Sequence, residues 1–388
     1  MTTFQEIAGS DATTSRYRLL VCLRDEGPIG RAQLARLTGL AASTVTSIVQ
    51  GLITEGIVVE ANDALPQVPA RPGPRSKPLV VNPRLGTFAG IDFGFRTVRI
   101  LITDVSGREL AFDSVSLSEG YDAITGLGAA RDLLLTMLER GNLATPTVAG
   151  LALPGPVDTL RQVVIGSAIL PGWADCSAQQ MGEALGLNIV VENDANLAAL
   201  GEHLFGAGRL VDNTITVKFH SGVGAGIILN DVLVSGWRGG AGEIGHIEID
   251  PRGPLCRCGK RGCLDTFVAV PAILAALLPH REVHTVGQLM ALLDARDAGA
   301  ERVVRDAASL VGRVLAAACL LVAPDRVILV GSMARAGRSV LDPITAELER
   351  HMVPETHAAP SVVLGELGTR HTAMGAVALA LRTEGWLE

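Results

Sequence analysis

Gly242-Glu-Ile-Gly-His246 is followed, ten residues past its histidine, by Cys256-Arg-Cys258-Gly-Lys-Arg-Gly-Cys263. Three thiolates and one imidazole satisfy the tetrahedral preference of zinc, and a site closed by four protein ligands is structural rather than catalytic. Gly259 and Gly262 let the loop turn tightly enough to gather the sulfurs. His246 is the candidate fourth ligand, although spacing alone does not single it out. The competing reading is a set of unligated or redox-active cysteines beside an ordinary loop histidine. Clustering of three cysteines, with no export signal at Met1-Thr-Thr-Phe-Gln-Glu6, favours metal ligation. Cys22, Cys176 and Cys319 stand alone and read as ordinary thiols.

Around this loop the sequence alternates strands with helices. Phe88–Phe93, Arg99–Asp104 and Glu109–Val115 read as strands, with Ser106-Gly107 as a hairpin turn. A helix over Tyr121–Arg140 and a buried-looking strand Val148–Leu153 follow. A second series comprises Ile189–Glu192, Asn193–Leu204, Thr214–Phe219 and Gly226–Leu229. Then come a long apolar helix (Glu301–Val322), a strand (Val327–Val330) and a final helix from Thr372 to Arg382. The pattern predicts a two-lobed α/β domain whose series could be duplicated halves.

The N-terminal region is different. Tyr17, Leu19, Leu20 and Leu23 give one helical face that stops at Gly27-Pro28; Arg31–Thr38 forms a second helix closed by Gly39. A third runs from Ala42 to Glu55, with Val45, Ile48, Val49, Leu52 and Ile53 at helical spacing, and Ile57-Val-Val59 begins a strand. Helix, turn, helix, turn, helix, strand is the order of a winged helix-turn-helix, whose third helix enters the major groove. Ser43, Thr44, Thr46, Ser47 and Gln50 are then the outward candidates for phosphate and base-edge contacts. Ala41 stands where a capping Ser or Thr is expected, a loss of about 1 kcal/mol of helix stability. The acid-free, proline-rich stretch Pro66–Pro83 reads as a wing or linker, and its Arg71 and Arg75 suit a minor groove. A plain three-helix packing element is the rival reading. The expected domains are 1–65 (winged helix-turn-helix), 66–85 (basic wing or linker) and 86–388 (ligand binding and oligomerisation).

Of the 388 residues, 48% are hydrophobic and 19% charged, which provides for a sizeable core and argues against disorder. The net charge of −7 excludes wholesale coating of nucleic acid, but not a local basic patch. No apolar run reaches spanning length. The expectation is a soluble cytoplasmic protein with no membrane partner.

The motifs resemble those of the ROK family (repressors, open reading frames and kinases), especially its repressor branch with an N-terminal winged helix. The resemblance rests on Glu243-x-Gly-His246 with Cys256-x-Cys258-Gly-x-x-Gly-Cys263. Leu153-Pro-Gly-Pro-Val-Asp158, Leu170-Pro-Gly-Trp173 and Glu192-Asn-Asp-Ala-Asn196 through Leu200-Gly-Glu202 extend it. It implies an actin-like, two-lobed sugar-kinase (ribonuclease H-like) fold with a sugar between the lobes, and it supports His246 as fourth ligand of a structural Zn2+. Its sugar contacts fall on Asn193, Asp194, Glu243 and His246, beside the Pro154-Gly155 turn. The family's further glutamate is Asp265 here, one methylene shorter.

In the family's kinases the residue matching Asp194 is the general base, but a sensor also needs a group that binds a hydroxyl. The phosphate loops discriminate better. The kinase pattern Asp-x-Gly-Gly-Thr reads Asp92-Phe-Gly94-Phe95-Arg96-Thr97, and Gly-Thr-Gly-x-Gly reads His220-Ser-Gly222-Val-Gly224. The Gly-Gly that flanks adenosine is Gly331-Ser332. Bulk at these positions opposes close approach of the backbone to phosphates. The resulting expectation is a sugar-responsive repressor without phosphoryl transfer. It would bind operator DNA as a homodimer or homotetramer, take a sugar or sugar phosphate as effector, and transmit through Pro66–Pro83. An ATP-dependent sugar kinase that also carries a DNA-binding domain is the alternative.

Overall fold

The structure, a computed structural model, describes residue 7 and residues 14–61, 78–353 and 359–387; Arg71 and Arg75 lie outside the described residues. Near the N-terminus, α1 (Ser15–Glu26), α2 (Arg31–Thr38) and α3 (Ala42–Thr54) precede β1 (Val58–Glu60). Thr14 caps α1 by accepting from the Tyr17 N–H, and Gly39 closes α2 in the left-handed region at φ 66°. Ala41 gives α3 no side-chain cap. Leu19, Leu20, Leu23, Leu34, Val45, Val49 and Leu52 are all buried, as the helical spacing predicted.

One element inside the proline-rich stretch was not legible in the sequence. Leu79–Val81 is a strand, β2, paired antiparallel with β1 so that Val58 faces Val81. The Ile29 and Leu79 backbones also exchange hydrogen bonds, and the Asn82 amide donates to the Gly56 carbonyl. The C-terminal part of what read as linker is therefore packed into the helical unit as the return strand of a β-ribbon.

Two five-stranded sheets follow. The first contains β3 (Thr87–Phe93), β4 (Thr97–Asp104), β5 (Glu109–Ser116), β6 (Val148–Leu153) and β9 (Asn188–Asn193), ordered β5-β4-β3-β6-β9. Helix α4 (Ala123–Gly141), a small ribbon of β7 (Val157–Asp158) and β8 (Val163–Val164), and α5 (Ala178–Leu185) complete it. Helix α4 starts later than its periodicity suggested because Asp122 is its cap, accepting from the Thr125 N–H.

After α6 (Asp194–Phe205) the second sheet takes β10 (Thr214–Phe219), β11 (Val223–Leu229), β12 (Val232–Leu233), β13 (Arg326–Val330) and β14 (Ser361–Leu364), ordered β12-β11-β10-β13-β14. Its helices are α7 (Asp265–Val268), α8 (Val270–Leu277), α9 (Val286–Asp294), α10 (Ala298–Val322), α11 (Arg338–His351) and α12 (His371–Thr383). Both sheets run antiparallel, antiparallel, parallel, parallel from the outer edge. The two sheets thus share one topology, the doubled arrangement of an actin-like fold, but the boundary falls later than the sequence series suggested, because Ile189–Glu192 pairs with β6 as the last strand of the first sheet.

Helix α12 packs directly against β3, β6 and α6. A Cβ added to Gly90 would lie 2.9 Å from the Ala373 carbonyl carbon, and one on Gly150 would lie 2.6 Å from that of Ala376. A Cβ on Gly201 would lie 2.9 Å from the Gly375 nitrogen. Backbone-to-backbone contact here requires glycine. The other end of α12 meets the N-terminal unit: Trp386 and Leu381 share one buried cluster with Leu20, Leu23 and Leu52, and Arg24 donates to the Trp386 carbonyl at 2.6 Å. Among the described residues, no single helix is long and apolar enough to cross a membrane.

Candidate functional site

A cavity of about 380 Å3 opens between the sheets, and Gly155, Asn193, Asp194, Glu243, His246 and Asp265 all line it. The backbone brings together residues spread over more than a hundred positions. Asn193 ends β9 and caps α6: its Oδ1 accepts from the Ala195 and Asn196 N–H groups, while Nδ2 donates to the Gly155 carbonyl at 2.9 Å. One amide N–H of Asn193 remains for a ligand. Gly155 sits at φ 105°, where a Cβ would come 3.1 Å from the Ser167 Cα, so the Pro154-Gly155 turn closes tightly over this corner.

Asp194 opens α6 and accepts from Lys218 Nζ at 2.6 Å. Lys218 stands between Val217 and Phe219 on β10, and it lines the same cavity. The sequence reading passed over it, although a lysine inside an otherwise apolar strand was the available signal. Arg257, between two of the cysteines, is a second cation on the lining; it donates to the Ser221 carbonyl at 2.9 Å.

The carboxylates crowd. Glu243 is pushed up to about 7, first by burial and then by the nearby charges of Asp194 and Asp265. Asp265 is also raised by burial, although its Oδ1 accepts from the Val223 N–H at 2.8 Å. Its shorter side chain is thus fastened to the β11 backbone while facing the cavity. Burial opposes ionisation of Asp92, but Lys218 and Arg99 outweigh it and lower its pKa. Arg99 reaches Asp92 at 3.1 Å.

His246, Cys256, Cys258 and Cys263 place one ligand atom each within 4.8 Å of one another. His246 Nδ1 lies 3.7 Å from Cys256 Sγ, and Cys258 Sγ lies 3.7 Å from Cys263 Sγ. Such edges match a tetrahedron with metal–sulfur bonds of about 2.3 Å. The donor chemistry fits as well. Burial and the neighbouring sulfurs push the Cys263 thiol up to about 12, so a cation is what would let three sulfurs ionise together. His246 turns its other nitrogen, Nε2, to within 3.8 Å of Glu243 Oε2. One imidazole therefore joins the Cys/His cluster to the cavity wall.

The third helix presents the polar face expected of it. Ser43, Thr44, Thr46, Ser47 and Gln50 are exposed, and four of them line a shallow groove with Thr54 and Glu55. Thr46 turns its hydroxyl back to the Ala42 carbonyl at 2.8 Å, which leaves Ser43, Ser47 and Gln50 the freer donors.

The two stretches compared with the kinase pattern are also visible. Phe95 faces the cavity, and Arg96 pairs with Glu119. His220-Ser-Gly222 is the turn joining β10 to β11, and most of the glycine-rich run belongs to β11 itself.

A family model described as the ROK family matches residues 88–383. The xylose repressor of Bacillus subtilis (strain 168) is 29% identical over 364 residues, covering 92% of this chain and 92% of its own. A solved ROK family transcriptional regulator, a homolog of the E. coli MLC protein, superposes with a TM-score of 0.73 at 25% identity and covers 95% of each chain. A ROK family glucokinase from Streptomyces griseus, in complex with glucose and AMPPNP, superposes with a TM-score of 0.69 at 28% identity; it covers 76% of this chain and 100% of its own. The family match runs from β3 to the end of α12, and this chain belongs to the ROK family.

Proposed function

We propose that the chain is a sugar-responsive transcriptional regulator, acting as a repressor that binds operator DNA. One observation carries the reading. Likeness to the xylose repressor and to the ROK transcriptional regulator covers 92% and 95% of this chain, whereas likeness to the glucokinase covers 76% of it, a difference that supports an added N-terminal unit. The extra segment adds the exposed polar face of α3, which suits a major groove. In this proposal residues 1–81 form the DNA-binding unit, because β2 belongs to it, and the remainder binds ligand and assembles dimers or tetramers. The protein acts in the cytoplasm.

The effector is a sugar or sugar phosphate held by Asn193, Asp194, Glu243, His246 and Asp265 beside Gly155. A hydroxyl both donates and accepts, so it can donate to the Asp194 carboxylate while accepting from Lys218. Zn2+ held by His246, Cys256, Cys258 and Cys263 is structural and fixes the imidazole that faces the sugar. Effector binding must favour one lobe arrangement over another to change DNA affinity. Helix α12, which touches both the lobes and the N-terminal unit, supports a direct route for that change beside the Pro66–Pro83 segment.

The kinase alternative is tested by incubating the pure protein with ATP, Mg2+ and a panel of hexoses; turnover at ordinary enzyme rates would refute the sensor. The repressor reading is tested by fluorescence anisotropy on the protein's own promoter region, with D-xylose, D-glucose and their phosphates as effectors. Salt-dependent binding that a sugar weakens, and that Ser47→Glu or Arg71→Ala/Arg75→Ala reduces, is expected. Binding indifferent to all of these would overturn it.

A further inference from the structure

Strand β10 divides its residues by chemistry. Ile215, Val217 and Phe219 belong to a buried apolar cluster, so alternation along the strand turns Thr214, Thr216 and Lys218 to the opposite face. Lys218 pairs across the ladder with Gly224 of β11, where an added Cβ would lie 3.1 Å from that of Ala195 on α6. The missing side chain leaves room beside the lysine, and Lys218, Gly224, Asp194 and Ala195 all line the cavity. Nζ of Lys218 reaches Asp194 Oδ2 at 2.6 Å, with the two side chains only 13% and 15% exposed. Among the described residues Asp194 is the partner of Lys218, and no group donates to Asp194 Oδ1.

We infer that Lys218 is a specificity-determining contact of the effector: together with Asp194 it reads one free sugar hydroxyl, as acceptor and donor at once. The effector is then neither deoxygenated, aminated nor phosphorylated at that carbon. The inference rests on the sugar-sensor reading and narrows the class of effector within it.

Other substituents fail against one half of the ion pair. A methylene leaves two largely buried charged groups without the hydrogen bonds that water had supplied. A phosphate suits Lys218 but sets its negative charge against Asp194, and an ammonium suits Asp194 but faces Lys218. A hydroxyl can donate to Oδ1 and accept from Nζ without adding charge. Neighbouring basic groups do not take over the part of Lys218. Burial, followed by the Lys218 charge, pushes His220 down to about 4 and His371 down to about 3, so both imidazoles are neutral at physiological pH. Arg99 is engaged by Asp92 at 3.1 Å, and Arg257 donates to the Ser221 carbonyl at 2.9 Å.

The test titrates the full chain by calorimetry with D-glucose, D-xylose and the monodeoxy-D-glucoses. Wild type, Lys218→Met and Lys218→Gln are compared, with circular dichroism and zinc content to establish that each is folded. In wild type one monodeoxy sugar should bind about ten- to a hundredfold more weakly than D-glucose, and the monophosphate at that carbon should not bind saturably. Lys218→Met should weaken D-glucose by a similar factor and shrink the penalty for that same deoxy sugar to less than about threefold, because the two changes remove one contact. A folded variant that penalises the deoxy sugar as strongly as wild type does would overturn the inference. Should neither variant fold, the wild-type series still decides, since equal affinity for D-glucose and every monodeoxy analogue would overturn it alone. Wild type that binds neither D-glucose nor D-xylose would overturn the sugar-sensor reading together with the inference, whereas sugar binding indifferent to Lys218 would remove the inference only.

Discussion

Replacing Gly375 by alanine tests how closely the two central helices depend on each other. A Cβ there would run into the carbonyl oxygen of Leu197 on α6 and lie 2.5 Å from its carbon and 3.0 Å from its Cα. Ordinary contact between carbons begins near 3.5 Å, so the helices would have to part by about 1 Å. Nothing flexible absorbs this, because the obstacle is backbone held in a helix. Gly201 on α6 and His371 on α12 interlock in the same crossing, which prevents α12 from tilting away. Overpacking of this kind costs about 3 kcal/mol, and the better helix propensity of alanine returns about 1 kcal/mol. The net loss is about 2 kcal/mol, a midpoint lower by roughly 4–8 °C. Gly128 on α4 is the matched control, since a Cβ there meets nothing within 4 Å. Gly128→Ala should instead stabilise by about 0.5–1 kcal/mol. Thermal unfolding of both variants by circular dichroism decides the matter. A Gly375→Ala protein as stable as Gly128→Ala would refute the close-packing argument, and with it the view of α6 and α12 as the rigid frame for Asn193, Asp194 and His371.

Other outcomes follow from the same structure. Cys258→Ser should lower bound zinc measured by mass spectrometry and abolish the sugar response; full zinc content in that variant would show the ligand assignment to be mistaken. Ala41→Ser supplies the cap that α3 lacks and should stabilise the N-terminal unit by about 1 kcal/mol in denaturant titrations; no gain would mean the first turn is satisfied otherwise. His371 is held down to about 3, first by burial and then by Lys218, while the unfolded chain titrates near 6.5. The unfolded state then binds the extra proton below pH 6.5. His371 therefore favours the fold fully above that pH, and its contribution is lost as pH falls toward 3, by at most about 1.4 kcal/mol per pH unit. Glu243, raised to about 7, works in the opposite sense between pH 4.5 and 7, so the comparison must be between variants. His371→Gln should flatten the acid side of the stability profile relative to wild type, and parallel profiles would contradict the burial of a neutral imidazole.

The sequence by itself determined the kind of protein. Local chemistry sufficed for α2 and α3, whose apolar spacing and Gly39 stop are properties of a short stretch of chain. It sufficed also for β6, where a continuous apolar run marks a strand buried on both faces. Clustered cysteines announced a candidate metal site because zinc ligands in a tight loop are close in sequence as well as in space. The tertiary structure decided what depends on distant partners. That β2 belongs with β1 is settled by pairing across the proline-rich stretch, which local propensity opposes. The contacts of Lys218 with Asp194 and of His220 with Ser332 arise where β10 meets α6 and the loop after β13, more than a hundred residues apart in the latter case. Side chains joined across such separations leave no periodic trace, because what brings them together is the packing of two sheets about α6 and α12. The opening motif gains its meaning from the same cause: the loop of Cys256, Cys258 and Cys263 was legible as a cluster, but only the fold puts His246 between it and Glu243.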